Sequence, residues 1–252
     1  MAFPNIRPLH ILWQHVLTVG MLDGITEGVK TILSLAGVAN EIKVEYLGKR
    51  HQPHWLDQDG KLLNQYDDLD WYIIWARNKS KEKGHLNSTA LLNSLRDKPV
   101  RTEVNSMYEL VVVNEPLHWH DTSTRKVGGI GRKGQGAIIT THSYLHFLVM
   151  NIGESEKDRK KRRSEFILAT KMLTIHELGH VFGLFPGTGK EDPTDEELKE
   201  SHCQDDCVMY WKLDAELNKK IEGRPFCPSC LEKLKDYFLE PPTIIIDVDD
   251  SL

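Results

Sequence analysis

The sequence predicts a protein of the α+β or α/β class, with an ordered first part and a smaller, irregular second part. Three observations point there. The first half alternates short strand-like and helix-like segments, one long helical stretch spans roughly residues 155–183, and the last third is irregular and contains every cysteine of the chain. The expected division is residues 1–185, with the sheet and the long helix, and residues 186–252.

RPLHILWQHVL, residues 7–17, is rich in β-compatible residues, and the following ITEGVKTILSLAGV has apolar residues at helical spacing. IKVEYLGKR, residues 42–50, alternates like a half-buried strand. DWYIIWAR (70–77) and YELVVVNEPL (108–117) read as buried strands, with STALLNSLRDK between them as a short helix capped by Ser88. GGIGRKGQG, residues 128–136, contains G-x-G but leads into the strand-like AIITTHSYL rather than a helix. That order disfavours a phosphate cradle and predicts a rim loop before an exposed strand. Near the C-terminus, LEKLKDYFLE is expected to be an amphipathic helix ended by Pro241-Pro242. TIIIDVDDSL is then an added strand or a tail with an acidic end.

With 252 residues, 40% of them hydrophobic, and a net charge of −5, the composition is that of a soluble globular protein. The acidic balance argues against a nucleic-acid binder, and KDRKKRR, Lys157 to Arg163, reads as the solvated first turns of the long helix. No apolar run approaches the ~20 residues of a membrane span, and the N-terminal residues lack the features of a signal peptide. A cytoplasmic location with reduced thiols is therefore expected. There, Cys203, Cys207, Cys227 and Cys230 suggest a metal site before disulfides, which with reduced buried thiols remain the alternatives.

The chemistry is expected on the long helix, at HELGH, residues 176–180. A helix turns ~100° per residue, so His176 and His180 project from one face and can share one zinc ion. Glu177 can reach a water beside them without binding metal, which suits a general base. Gly183 follows where a left-handed residue would end the helix.

HELGHVFGL, HCQDDCVM and FCPSC together resemble the archaemetzincin branch of the metzincin zinc metalloproteases, whose pattern is HExxHxxGxxHC, a second Cys after four residues that opens Cys-x-Met, and then CxxC. The resemblance covers residues 176–230. It implies a metzincin-like fold, with a mixed twisted sheet and active-site helix followed by a small zinc-containing subdomain. It also implies two zinc ions per chain. His176, His180 and His202 would bind the catalytic one with Glu177 as general base, Met209 would form an apolar floor, and Cys203, Cys207, Cys227 and Cys230 would hold a structural one. Two departures stand out. The family's third histidine falls here on Pro186, so residues 186–201 read as an insertion before His202, with DEELKES as a short helix inside it; Asp192 and Asp195 are rival ligands. Cys203 and Cys207 are also separated by three residues where the family usually has four.

In such proteins the substrate lies extended along an edge strand above the zinc helix, a position that GAIITT, residues 136–141, would occupy. His118 and His120 are expected in a surface or structural role, His142 and His146 could line the cleft, and Tyr210 is expected to pack. The leading expectation is a zinc metallopeptidase acting on a peptide or protein, with no nucleic-acid or membrane partner. The rival is a catalytically inactive, metal-stabilised binding protein of the same fold.

Overall fold

Strands β1 (Leu9–Trp13), β2 (Val44–Gly48), β4 (Tyr108–Val113), β7 (Gly129–Arg132) and β8 (Gly136–Thr140) form a central sheet in the order β2-β1-β4-β8-β7. This computed structural model of the chain describes residues 5–14, 19–49, 68–80, 83–96, 107–119, 126–142, 154–185 and 193–240. The first four strands in that order run parallel, and β7 returns antiparallel to β8, so the sheet is mixed. Strands β3 (Leu86–Asn87), β5 (Leu117–His118) and β6 (Lys126–Val127) form a small second sheet.

Helices cover both faces, as a largely parallel sheet requires. Side chains alternate along a strand, so Leu9, Ile11, Leu110, Val112 and Ile139 face one core while Leu12, Val111, Val113 and Ile138 face the other. The first core is closed by α1 (Val19–Ala36) and α4 (Glu156–Val181), the second by α2 (Leu69–Asn78) and α3 (Ser88–Arg96). Beyond α4, helices α5 (Asp195–Glu200), α6 (Ala215–Ile221) and α7 (Pro228–Leu239) follow; Ile221, Leu234 and Phe238 extend the first core.

Three local expectations are corrected. DWYIIWAR is not a strand but most of α2: Asp68 caps it by accepting a hydrogen bond from the Asp70 N–H, and Leu69, Tyr72, Ile73 and Ala76 are buried at helical spacing. Its aromatic and β-branched content resembles a strand, but the cap and one buried face decide otherwise. α3 is capped by Asn87, which accepts from the Ala90 N–H, while the Ser88 hydroxyl donates to the His118 carbonyl. GAIITT is not an edge strand. Its β8 portion lies between β4 and β7 and is buried throughout, and the edge is β7, within the segment expected to be a loop. The C-terminal TIIIDVDDSL lies outside the described residues.

Two candidate metal centres

Helix α4 carries the first centre on its last turns. Ser155 caps its N-terminus by accepting from the Asp158 N–H. The other end closes where Gly183 takes φ 83°, with Gly183 N–H donating to the His180 carbonyl and Leu184 N–H to that of Gly179. Phe185 also has positive φ, at 48°, a strained conformation for a bulky residue. This fold-back brings the carbonyls of Leu184 and Phe185 to 2.9 and 2.6 Å from Nδ1 of His180.

The insertion ends in α5, closed by a reciprocal capping box between Thr194 and Glu197. The Leu198 carbonyl of this helix lies 2.6 Å from Nδ1 of His202. Nδ1 of His176 lies 2.6 Å from the Val208 carbonyl. All three Nδ1 atoms thus face carbonyl oxygens, which can only accept, so each Nδ1 carries the proton and each Nε2 is left with its lone pair. The Nε2 atoms of His176 and His180 are 3.1 Å apart, and one ligand atom from each of the three histidines lies within 4.8 Å of the others. A tetrahedral zinc with Zn–N bonds near 2.0–2.1 Å sets its nitrogens about 3.3 Å apart, so the donor set fits such an ion.

Burial, the neighbouring His180 and His202 hold His176 well below its usual pKa; burial and His202 bring His180 to about 4; burial also lowers His202. The three imidazoles are therefore neutral near pH 7, the form that binds metal. Glu177, buried beside them, has its pKa raised to about 8 by desolvation. Met209 lies beneath the helix: a Cβ at Gly179 would overlap its sulfur. The cluster takes its third member from beyond the insertion, and Asp195 is not in it; Asp192 lies outside the described residues.

Above the helix passes the edge strand β7. A Cβ on Gly129 would stand 2.7 Å from the Glu177 carboxyl group, and one on Gly131 would overlap the Glu177 backbone oxygen. Only glycines at these alternate positions let the strand lie this close. The Thr140 N–H donates to the Gly128 carbonyl, so by antiparallel alternation the main-chain groups of Gly129 and Gly131 are directed to the outer edge.

The second centre gathers Cys203, Cys207, Cys227 and Cys230, all buried and none in a disulfide. The Sγ atoms of Cys203 and Cys227 are 3.7 Å apart, close to the roughly 3.8 Å that tetrahedral Zn–S bonds of ~2.3 Å require. Backbone N–H groups of Met209 and Cys227 each point at Cys207 Sγ from 3.5 Å. A hydrogen bond from Cys230, aided by these amides, lowers the Cys207 pKa to about 6; burial raises that of Cys203 to about 12. One thiol poised to ionise among buried partners, at tetrahedral sulfur spacing, suits a metal.

No family model and no curated protein sequence matches the chain. Among solved structures, archaemetzincin from Methanopyrus kandleri matches over 94% of this chain and 97% of that one, with a TM-score of 0.54 and 18% identity. The chain shares the archaemetzincin fold. Among the described residues no helix is long and apolar enough to cross a membrane.

Sequence reasoning missed the parts that hold the histidines in place. The carbonyls of Leu184, Phe185, Leu198 and Val208 belong to the backbone, so no residue type announces them. The Phe185 ring, stacked parallel to His202 at 6.4 Å, was equally silent. Gly129 and Gly131 did leave a signal in G-x-G, which was read as a loop. Of the other histidines, His118 is buried in β5 beside the His85 ring, His142 is exposed, and His120 and His146 lie outside the described residues.

Proposed function

We propose that this chain is a zinc-dependent peptidase that hydrolyses peptide bonds with Glu177 as general base. The observation that carries the reading is a three-imidazole cluster with its bare Nε2 atoms converging, beside a buried carboxyl group that belongs to neither cluster. A purely structural metal site has no use for that carboxylate. When bound there, zinc would supply Lewis acidity toward a peptide carbonyl and lower the pKa of a water to ~7.

The chain's own residues do the rest. His176, His180 and His202 hold the metal, their orientation set by the carbonyls on Nδ1. Glu177, held dry beneath β7, takes a proton from the attacking water and passes it to the leaving amine; the nearby cation would favour its charged form against the burial that raises its pKa. The outward main-chain groups of Gly129 and Gly131 would pair with an extended substrate by strand addition, independent of its side chains. Cys203, Cys207, Cys227 and Cys230 would hold a second, structural zinc. Four reduced cysteines accord with a cytoplasmic protein, and a net charge of −5 accords with a peptide or protein substrate rather than nucleic acid.

The decisive variant is Glu177→Gln. Cleavage of an unstructured protein substrate should fall by roughly 10²–10⁴-fold, with two zinc ions per chain retained by elemental analysis. Undiminished cleavage would remove Glu177 from the reaction.

A further inference from the structure

We propose that the two metal centres fill cooperatively, metal at the four-cysteine centre creating the place of the third histidine ligand. The inference rests on the zinc reading above, but not on peptide hydrolysis. Residues 202–209 serve both centres at once. His202 and Cys203 are neighbours in the chain, with Cα atoms about 3.8 Å apart across one peptide bond, yet they belong to different clusters. Cys207 precedes Val208, whose carbonyl holds Nδ1 of His176, and Val208 precedes Met209, the floor under Gly179.

This segment has one fixed end, Val208 and Met209, which are fully buried in the first core. It contains no helix or strand beyond an isolated bridge between Cys203 and Tyr210. Before that end it is held by hydrogen bonds from Cys203 N–H to the Met209 carbonyl at 3.0 Å and from Gln204 to the Lys199 carbonyl, and by an exposed Lys220–Asp206 ion pair; Val208 N–H donates to the Pro225 carbonyl at 2.6 Å. Cys227 and Cys230, in contrast, sit at the start of α7, whose Leu234 and Phe238 are fully buried in the first core. Metal bound to all four sulfurs would pin the segment to that helix at two points, Cys203 and Cys207. Pinning removes the conformational freedom that the histidine centre would otherwise have to remove for itself. The Leu198 carbonyl does not substitute for it. That carbonyl sets the tautomer of His202 from the preceding side, while metal on the sulfurs would fix residues 203–207 from the following side.

Coupling of this kind is reciprocal: each metal strengthens the other by the same factor. The test uses the full chain and cobalt(II), whose thiolate charge-transfer band reports the cysteine centre and whose ligand-field bands report the histidine centre. In the double variant Cys227→Ser/Cys230→Ser, neither residue being near the histidines in sequence, cobalt affinity at the histidine centre should fall about tenfold or more. In His176→Ala/His180→Ala, affinity at the intact cysteine centre should fall by the same factor. Histidine-centre affinity within about twofold of the parent protein, in a serine variant with native circular dichroism, would overturn the proposal. Should that variant not fold, the histidine variant decides alone, and unchanged affinity at its cysteine centre is equally fatal. If neither centre takes up cobalt, the zinc reading fails with it; loss of cleavage alone touches neither arm.

Discussion

The two candidate centres adjoin each other in the chain but are built in opposite ways. The histidine centre takes two ligands from the buried last turns of a long helix and one from beyond an insertion, and each ring is oriented by a backbone carbonyl. The cysteine centre takes two ligands from an irregular segment and two from the first turn of α7, pieces that metal on the four sulfurs would tie together. The first is a site that a fold presents. The second draws its donors from two segments that a bound metal would join. Rigid support suits a centre meant to act on a substrate, whereas a closed thiolate cage suits one meant to hold chain segments in place.

This contrast is easiest to break by removing one ligand from each. Cys230→Ser should lower Tm by roughly 10 °C or more, because binding at a closed thiolate site is itself folding free energy. His202→Ala should leave Tm within a few degrees while abolishing activity. Equal losses of Tm would erase the distinction. Next in size is Gly131→Val, whose side chain would push β7 off Glu177. Misplacement of about 1 Å is expected to lower kcat roughly 10²-fold, in protein whose Tm falls only modestly.

A third expectation concerns pH in protein freed of the histidine-centre metal by mild chelation. The folded-state pKa of Glu177, about 8, lies above its ordinary value of 4.5. The bound proton therefore stabilises the fold fully below pH 4.5, and this contribution is lost as pH rises through about 8. Glu177→Gln has no such loss, so its stability relative to the parent should increase by roughly 1–3 kcal/mol between pH 5 and 8.5, followed by thermal unfolding. A difference independent of pH would mean that the carboxyl group is not held dry. The smallest effect belongs to Thr194→Ala, which removes one half of the α5 capping box at a cost of ~1 kcal/mol. Zinc affinity of the histidine centre should weaken a few-fold, because the Leu198 carbonyl orients His202, while the cysteine centre should be unaffected.

What the sequence made legible follows from how locally each feature is encoded. H-E-x-x-H needs only helical geometry to place His176, Glu177 and His180, and Ser155 and Gly183 bracket the helix in plain residue chemistry. The buried run YELVVV likewise shows itself as β4. α2 was misread because Trp71, Tyr72, Ile73 and Ile74 favour strands, while the deciding cap at Asp68 is a single side chain. The edge strand was misread because Gly129 and Gly131 lower strand propensity for a reason that lies in another element, the Glu177 carboxyl group beneath them. The placing of His202 was open because loop-closure entropy says that a return is affordable, not where it lands.

The burial of the three imidazoles carries one more consequence, visible in protons. At the histidine centre each imidazole is already neutral at pH 7, so filling it displaces no proton from its three ligands. At the cysteine centre a closed thiolate cage must shed thiol protons into the solvent as metal enters. Filled with zinc, the chain would carry, one peptide bond apart, a site that releases protons on binding and one that does not.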